Sequence, residues 1–287
     1  MNSTAGDTPG PEYIRPYGGI VGALRAVLRV LAIIVVTLVT VVILGLAMLW
    51  PRDEAGRAGV RRRVARAWAG ACCRVMGARI EVDGRPPAGP GFLVSNHVSY
   101  LDIPVLMSLT GCTFVAKREI AGWPVIGALA RFGGTLFVNR SGGKDTAQTL
   151  EGMERSAAKG DLVMFFPEGT TSRGESVLPF RTGLLALAAE RGVPVEAAAV
   201  AYSTPADVDT VTALAWTDQQ EFTPHAWRVL TLPSFDVRVA LATETVVSSD
   251  RKLLAQRLHA RVSQLLASAS CGNRLPDSVA DAESERG

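Results

Sequence analysis

The heptapeptide Asn96-His97-Val98-Ser99-Tyr100-Leu101-Asp102 puts an imidazole and a carboxylate into one short stretch of chain. Neutral imidazole can take a proton from an alcohol while a carboxylate fixes its tautomer and steadies the cation that develops, so His97 reads as a general base and Asp102 as its partner. In a regular helix, five steps of about 100° would leave the two side chains ~140° apart. They meet only if the chain bends after His97 and a helix starts near Ser99. Ser99-Tyr100-Leu101-Asp102 also has the form of a capping box, in which the acid binds a backbone N–H at a helix start. Catalytic dyad, helix cap and incidental polarity all stay open on these residues, and the first two are compatible. Downstream, Phe166-Pro167-Glu168-Gly169-Thr170 closes an apolar run with a turn. There Glu168 can hold a hydroxyl or a basic partner and Gly169 permits close approach; a plain surface turn fits equally.

Other chemistries find less footing. No G-x-S-x-G elbow is present, so the route through a covalent serine has no motif, although Cys112 can approach His97 in a fold. The G-x-x-x-x-G-K-[ST] and G-x-G-x-x-G phosphate loops are absent, and Ser141-Gly142-Gly143-Lys144 reads as a turn into a helix. His225 and His259 stand in settings unlike that of His97, which leaves little basis for a metal cluster. Four cysteines (72, 73, 112 and 271) are too few for a disulfide scaffold and read as free thiols. A formal net charge of +3 gives no global sign of a nucleic-acid partner.

The elements that must position these residues begin with a membrane-seeking segment. Val30 to Trp50 carries no charge, and as a helix it would be about 30 Å long, the thickness of a bilayer core. Three arginines (15, 25 and 29) precede it, whereas Arg52, Arg57, Arg61, Arg62, Arg63 and Arg66 follow closely, which predicts a cytoplasmic face for the large domain at the inner or plasma membrane. A secretory signal, a buried core helix, and a helix that enters one leaflet and returns are the rivals of a spanning helix. From Val60 the spacing of Val64, Ala67, Trp68, Ala71 and Val75 predicts an amphipathic helix, either interfacial or packed on the domain. Beyond it, strands are expected at Arg79–Val82, Gly91–Ser95, Phe114–Ala116, Thr135–Asn139, Leu162–Phe166, Val195–Tyr202, Arg228–Pro233 and Phe235–Ala240. Helices are expected at Asp102–Ser108, Asp145–Ala158, Thr182–Glu190 and Asp250–Ala267. Such alternation predicts an α/β fold with a largely parallel central sheet flanked by helices. The expected organisation is a loose N-terminal region (1–29), membrane helix (30–50), basic helix (51–79), catalytic domain (80–271) and loose tail (272–287).

Three further stretches fall in order around these motifs. Asn96 to Asp102 resembles the NHxxxxD signature of the glycerolipid acyltransferases typified by 1-acyl-sn-glycerol-3-phosphate acyltransferases. Lys117-Arg118-Glu119-Ile120, with Pro124 and Gly127, resembles the family's KxEL segment. Gly134 to Arg140 resembles its G-x-x-F-x-x-R block, Phe166 to Thr170 its FPEGT block, and Val193-Pro194-Val195 its closing VP[IV] segment. The resemblance implies a general base at His97 oriented by Asp102, and acceptor binding by Lys117, Arg140, Glu168, Gly169, Thr170 and Arg173. It implies no metal and no bound cofactor; the acyl donor is an acyl carrier protein or coenzyme A thioester, and the acceptor a membrane lysolipid. The leading expectation is acylation of 1-acyl-sn-glycerol-3-phosphate to phosphatidic acid. Thr171 stands where many members have arginine, and Val193 to Ala198 lacks a frequent second proline. Gly169-Thr170-Thr171-Ser172 and Val177-Leu178-Pro179-Phe180 are similar to lyso-ornithine lipid acyltransferases, which makes that acceptor the alternative. A thioesterase or lipid hydrolase and a noncatalytic membrane adaptor are the competing classes.

Overall fold

The computed structural model describes residues 17–87, 89–122, 127, 130–131, 134–138, 143–217 and 220–271. Pro124, Asn139 and Arg140 lie outside them. A seven-stranded sheet runs through the described residues in the order β1-β7-β6-β2-β5-β3-β4. Its strands are β1 (Ala78–Asp83), β2 (Gly91–Ser95), β3 (Thr113–Lys117), β4 (Leu136–Val138), β5 (Leu162–Phe165), β6 (Val195–Ser203) and β7 (Phe235–Leu241). Every neighbouring pair is parallel except β6 with β7. The helices are α1 (Gly19–Leu49), α2 (Glu54–Met76), α3 (Asp102–Thr110), α4 (Gly143–Ala158), α5 (Ala186–Arg191), α6 (Thr210–Leu214), α7 (Phe222–Thr231) and α8 (Arg251–Cys271).

Because the central strands are covered on both faces, they read as apolar runs, and the pleat sorts their side chains into two cores. Leu93, Met164, Ala198 and Val200 point to one face, under α2, α3 and α7, while Phe92, Val94, Val163, Phe165 and Ala197 point to the other, under α5 and α8. On α8, Leu254 and Leu258 are buried, and Leu265 packs partly buried beside Val262 and Leu266.

Two expected elements are corrected. Arg228 to Pro233 is not a strand: it is the end of α7 and its exit, with His225 and Val229 buried one turn apart. A short apolar run cannot by itself separate a strand from a buried helical turn, and here the helical period begins upstream at Phe222. The expected helix at Thr182–Glu190 is regular only from Ala186, after a run of turns. On α2 the buried stripe is Ala58, Ala69, Cys72, Cys73 and Met76, and Val60, Val64, Ala67 and Trp68 lie beside it or outside it. The helix starts at Glu54, inside the expected 51–79, where the Asp53 side chain caps it, accepting from Gly56 N at 2.8 Å.

Helix α1 is long and apolar enough to cross a membrane. Its outer face is bare: Leu24, Val35, Leu38, Val42 and Leu46 are between 58% and 63% exposed. Its inner stripe follows the domain. Arg25 donates to Thr231 O at 2.7 Å, and Arg29 donates to the carbonyls of Leu230, Leu232 and Pro233, satisfying acceptors that the end of α7 leaves open. Farther along, the Trp68 indole N–H of α2 donates to Thr37 Oγ1 at 3.1 Å.

Candidate active site

Strand pairing explains why the two polar motifs meet. Val94 of β2 lies opposite Phe165 of β5, and both strands run the same way. His97 and Glu168, each three residues farther on, therefore leave the same edge side by side, at the carboxyl ends where α/β sheets place ligands. Lys117 ends the neighbouring β3 at that edge. Just past β2, the Asn96 side chain turns back on β6: its Oδ1 accepts from Val200 N at 2.8 Å and its amide donates to Val200 O at 3.0 Å. The chain is thus pinned one residue before the imidazole.

His97 is fixed on every side but one. Its N–H donates to Glu168 Oε1 at 2.8 Å, and its carbonyl accepts from Ser172 N at 2.8 Å and from Ser172 Oγ at 3.2 Å. The ring stacks on Phe166, centroids 3.8 Å apart and planes 6° off parallel. Nδ1 sits 2.7 Å from Asp102 Oδ2. A carboxylate only accepts, so Nδ1 carries the proton and Nε2 presents a lone pair. No group among the described residues bonds Nε2.

Asp102 is fully buried at the first residue of α3. Its Oδ2 accepts from His97 Nδ1, Val98 N at 2.8 Å and Ser99 N at 3.0 Å; its Oδ1 accepts from the Tyr202 hydroxyl at 2.7 Å. The carboxylate is therefore both the histidine's partner and the capping acid, because the turn at Ser99 to Leu101 brings the imidazole and two backbone N–H groups onto one oxygen. The serine half of the capping box is missing: Ser99 Oγ is buried without a partner.

Glu168 is brought to the dyad, but both its oxygens are already used, Oε1 on His97 N and Oε2 on Leu178 N at 3.2 Å. Burial pushes its carboxyl up to about 7, against the pull of those two N–H donors and with a further push from the negative Asp102. Gly169 follows with φ +78°, and a Cβ there would meet Arg181 Nε at 2.8 Å, so the guanidinium of Arg181 lies across this glycine. Thr170 is partly buried beside it. Arg173 turns elsewhere: it is 65% exposed, 3.4 Å from Glu175, and lines a cavity with Val98 and Tyr202 that contains neither His97 nor Glu168. The N–H groups of His97, Val98 and Ser99 serve carboxylates and that of Gly169 serves Phe166 O, so an oxyanion must find other donors. Cys112 is buried and its thiol is pushed up to about 12, which keeps it a poor nucleophile.

Beside the dyad lies an apolar cavity of about 270 Å³. Tyr100, Leu101 and Phe114 line its inner part, and Thr40, Leu44 and Trp68 the part toward α1 and α2. Phe114 also stacks near Phe166, which carries the His97 ring, so the apolar wall runs up to the imidazole.

Sequence reasoning did not single out Tyr202, Arg181 or Ser172. For Tyr202 a signal existed: it sits at the carboxyl end of a strand expected in the same sheet. Arg181, between two turns, gave none.

Comparison with known proteins shows the family and the fold. Residues 79–201 match the model of the family described as Acyltransferase. The lyso-ornithine lipid O-acyltransferase of Brucella abortus is 36% identical over 234 residues, 76% of this chain and 87% of that protein. The 1-acyl-sn-glycerol-3-phosphate acyltransferase of Neisseria meningitidis is 32% identical over 199 residues, 64% of this chain and 73% of that protein. The fold is that of the 1-acyl-sn-glycerophosphate acyltransferase PlsC of Thermotoga maritima, with a TM-score of 0.65 at 19% identity, covering 89% of this chain and 100% of the other.

Proposed function

Since the chain belongs to the acyltransferase family that includes the 1-acyl-sn-glycerol-3-phosphate and lyso-ornithine lipid acyltransferases, we propose that it moves a fatty acyl group from a thioester to the hydroxyl of a membrane lysolipid. The observation that carries this reading is the free Nε2 of an imidazole tied to a buried carboxylate, set beside an apolar cavity. The acceptor oxygen attacks the thioester carbonyl as Nε2 takes its proton. The tetrahedral intermediate then collapses, the C–S bond breaks, and the imidazolium returns the proton to the departing thiolate. Asp102 holds the ring and steadies its cation throughout. The cavity takes acyl chain, and the donor is acyl carrier protein or coenzyme A thioester.

For the acceptor, the better-supported choice is a lyso-ornithine lipid. Thr171 replaces the arginine frequent in phosphate-binding members, Arg173 is turned to Glu175, and the relative matched over the larger share of its length bears that name. The second reading is 1-acyl-sn-glycerol-3-phosphate, giving phosphatidic acid. It is favoured by Arg181, an exposed cation beside Gly169 with no carboxylate partner among the described residues.

The membrane placement follows from α1. Tyr17, Arg25 and Arg29 contact α7 while Thr37 contacts α2, so both halves of the helix touch one domain. A bilayer between those halves would submerge the arginines of α2. These contacts support a helix with its bare face in one leaflet, and the arginines that follow it favour the cytoplasmic side.

The test offers the purified full chain equal amounts of both lysolipids with one acyl carrier protein thioester, and identifies products by mass. Acylated ornithine lipid is expected; phosphatidic acid alone would exchange the two acceptors. The His97→Ala variant should lose at least about a thousandfold in rate while staying folded. Near-normal transfer by that variant, or a stoichiometric burst of thiol without any lysolipid, would end the mechanism.

A further inference from the structure

We propose that Tyr202 is a positioning residue of the acyl-transfer step, its hydroxyl holding the Asp102 carboxylate in the orientation that fixes His97. The inference rests on the acyl-transfer reading above. Oδ2 of Asp102 has three donors, whereas Oδ1 has the Tyr202 hydroxyl, at 2.7 Å. A carboxylate buried to 0% exposure cannot turn to water if that donor is lost, and an unpaired charged oxygen in such a place is costly.

The fold delivers the phenol by register. Ser95 of β2 pairs with Ala198 of β6; the Asn96 side chain then binds both backbone groups of Val200. Two residues on, Tyr202 points to the same face as Ala198 and Val200, the face that α3 covers. Its position along the strand is therefore locked to the loop that carries the dyad, and its hydroxyl meets Asp102 at the start of α3. Burial and the adjacent Asp102 charge raise the phenol well above 10, so it stays a donor across the working range. The ring packs 6.4 Å from Phe235, whose strand β7 pairs with β6 on the other side.

The result is a chain of three side chains, Tyr202 to Asp102 to His97, in which the outer hydroxyl draws negative charge from the carboxylate. Other titratable groups face it from each neighbouring element: Glu168 from the turn after β5, Cys73 from α2 and Tyr100 from the dyad loop. None of these three bonds the carboxylate; among the described titratable side chains, His97 and Tyr202 do.

The test is Tyr202→Phe in the full chain, which removes one oxygen and keeps the ring. With acyl carrier protein thioester and lysolipid in detergent micelles, kcat should fall about tenfold with KM for both substrates unchanged. Without the donor the carboxylate is more basic, so the acid limb of the rate profile should move to higher pH. In an Asp102→Asn background the same Phe substitution should change the rate less than about twofold, because the two residues act through one another. A Phe variant with wild-type rate and pH profile would overturn the proposal, as would a full tenfold loss in the Asp102→Asn background, which indicates general damage. Wild-type protein that releases no thiol with either lysolipid would remove the acyl-transfer reading and this role with it.

Discussion

At the scale of single residues the site is built from backbone donors as much as from side chains. Glu168 and Asp102 between them take N–H bonds from His97, Val98, Ser99 and Leu178, so two carboxylates splint the loops that hold the imidazole. For Glu168 this has a pH consequence. Its carboxyl rises from 4.5 unfolded to about 7 folded, through burial first. A carboxyl raised in this way contributes stability that is fully present below about 4.5 and is lost as pH rises through about 7. Glu168→Gln cannot titrate. Wild type should therefore lose ~2–3 kcal/mol relative to Glu168→Gln between pH 4.5 and 8, read from denaturant midpoints. Parallel curves for the two proteins would show that Glu168 stays ionised throughout.

At the scale of elements, α1 buries Gly22, Ala26 and Leu44 against the domain, adds polar contacts through Arg25, Arg29 and Thr37, and leaves its outer apolar face bare. The Arg29 guanidinium spans three carbonyls at the end of α7, closing helix acceptors that would otherwise go unpaired. Arg29→Ala should lower stability by about 1–3 kcal/mol and detach the N-terminal half of α1, measured as faster proteolysis near residue 20 with Arg29→Lys intermediate. Unchanged cleavage would mean that apolar packing alone docks the helix. Farther along, α1 and α2 wall the apolar cavity whose inner lining includes Tyr100 and Leu101 of the dyad loop.

At the scale of the whole molecule the sheet brings His97, Glu168 and the end of β3 to one edge, and the proposed membrane surface lies beside it. A helix lying in one leaflet places both of its ends on the catalytic side. Single cysteines at Ser3 and Arg52, in a protein with Cys271→Ser, should therefore both react with an impermeant maleimide from that side of a sealed vesicle. A spanning helix would protect one of them. Cys72, Cys73 and Cys112 are buried and should stay silent.

Local order along the chain was enough for much of this. On the residues alone the pairing of His97 with Asp102 was one of three open readings; the resemblance singled it out, and the turn at Ser99 to Leu101 brings the two side chains together. Central strands were legible because burial on both faces makes them continuously apolar, and the apolar span of α1 needs only composition. What lay beyond reach depends on register between distant segments. Tyr202 meets Asp102 only once β6 is aligned on β2, Glu168 binds His97 only once β5 is, and α7 shows itself as a helix only through the burial of His225 and Val229. Spacing in the sequence fixes which groups can be neighbours within a turn. Which groups become neighbours across a hundred residues is decided by the pairing of strands and the packing of helices over them.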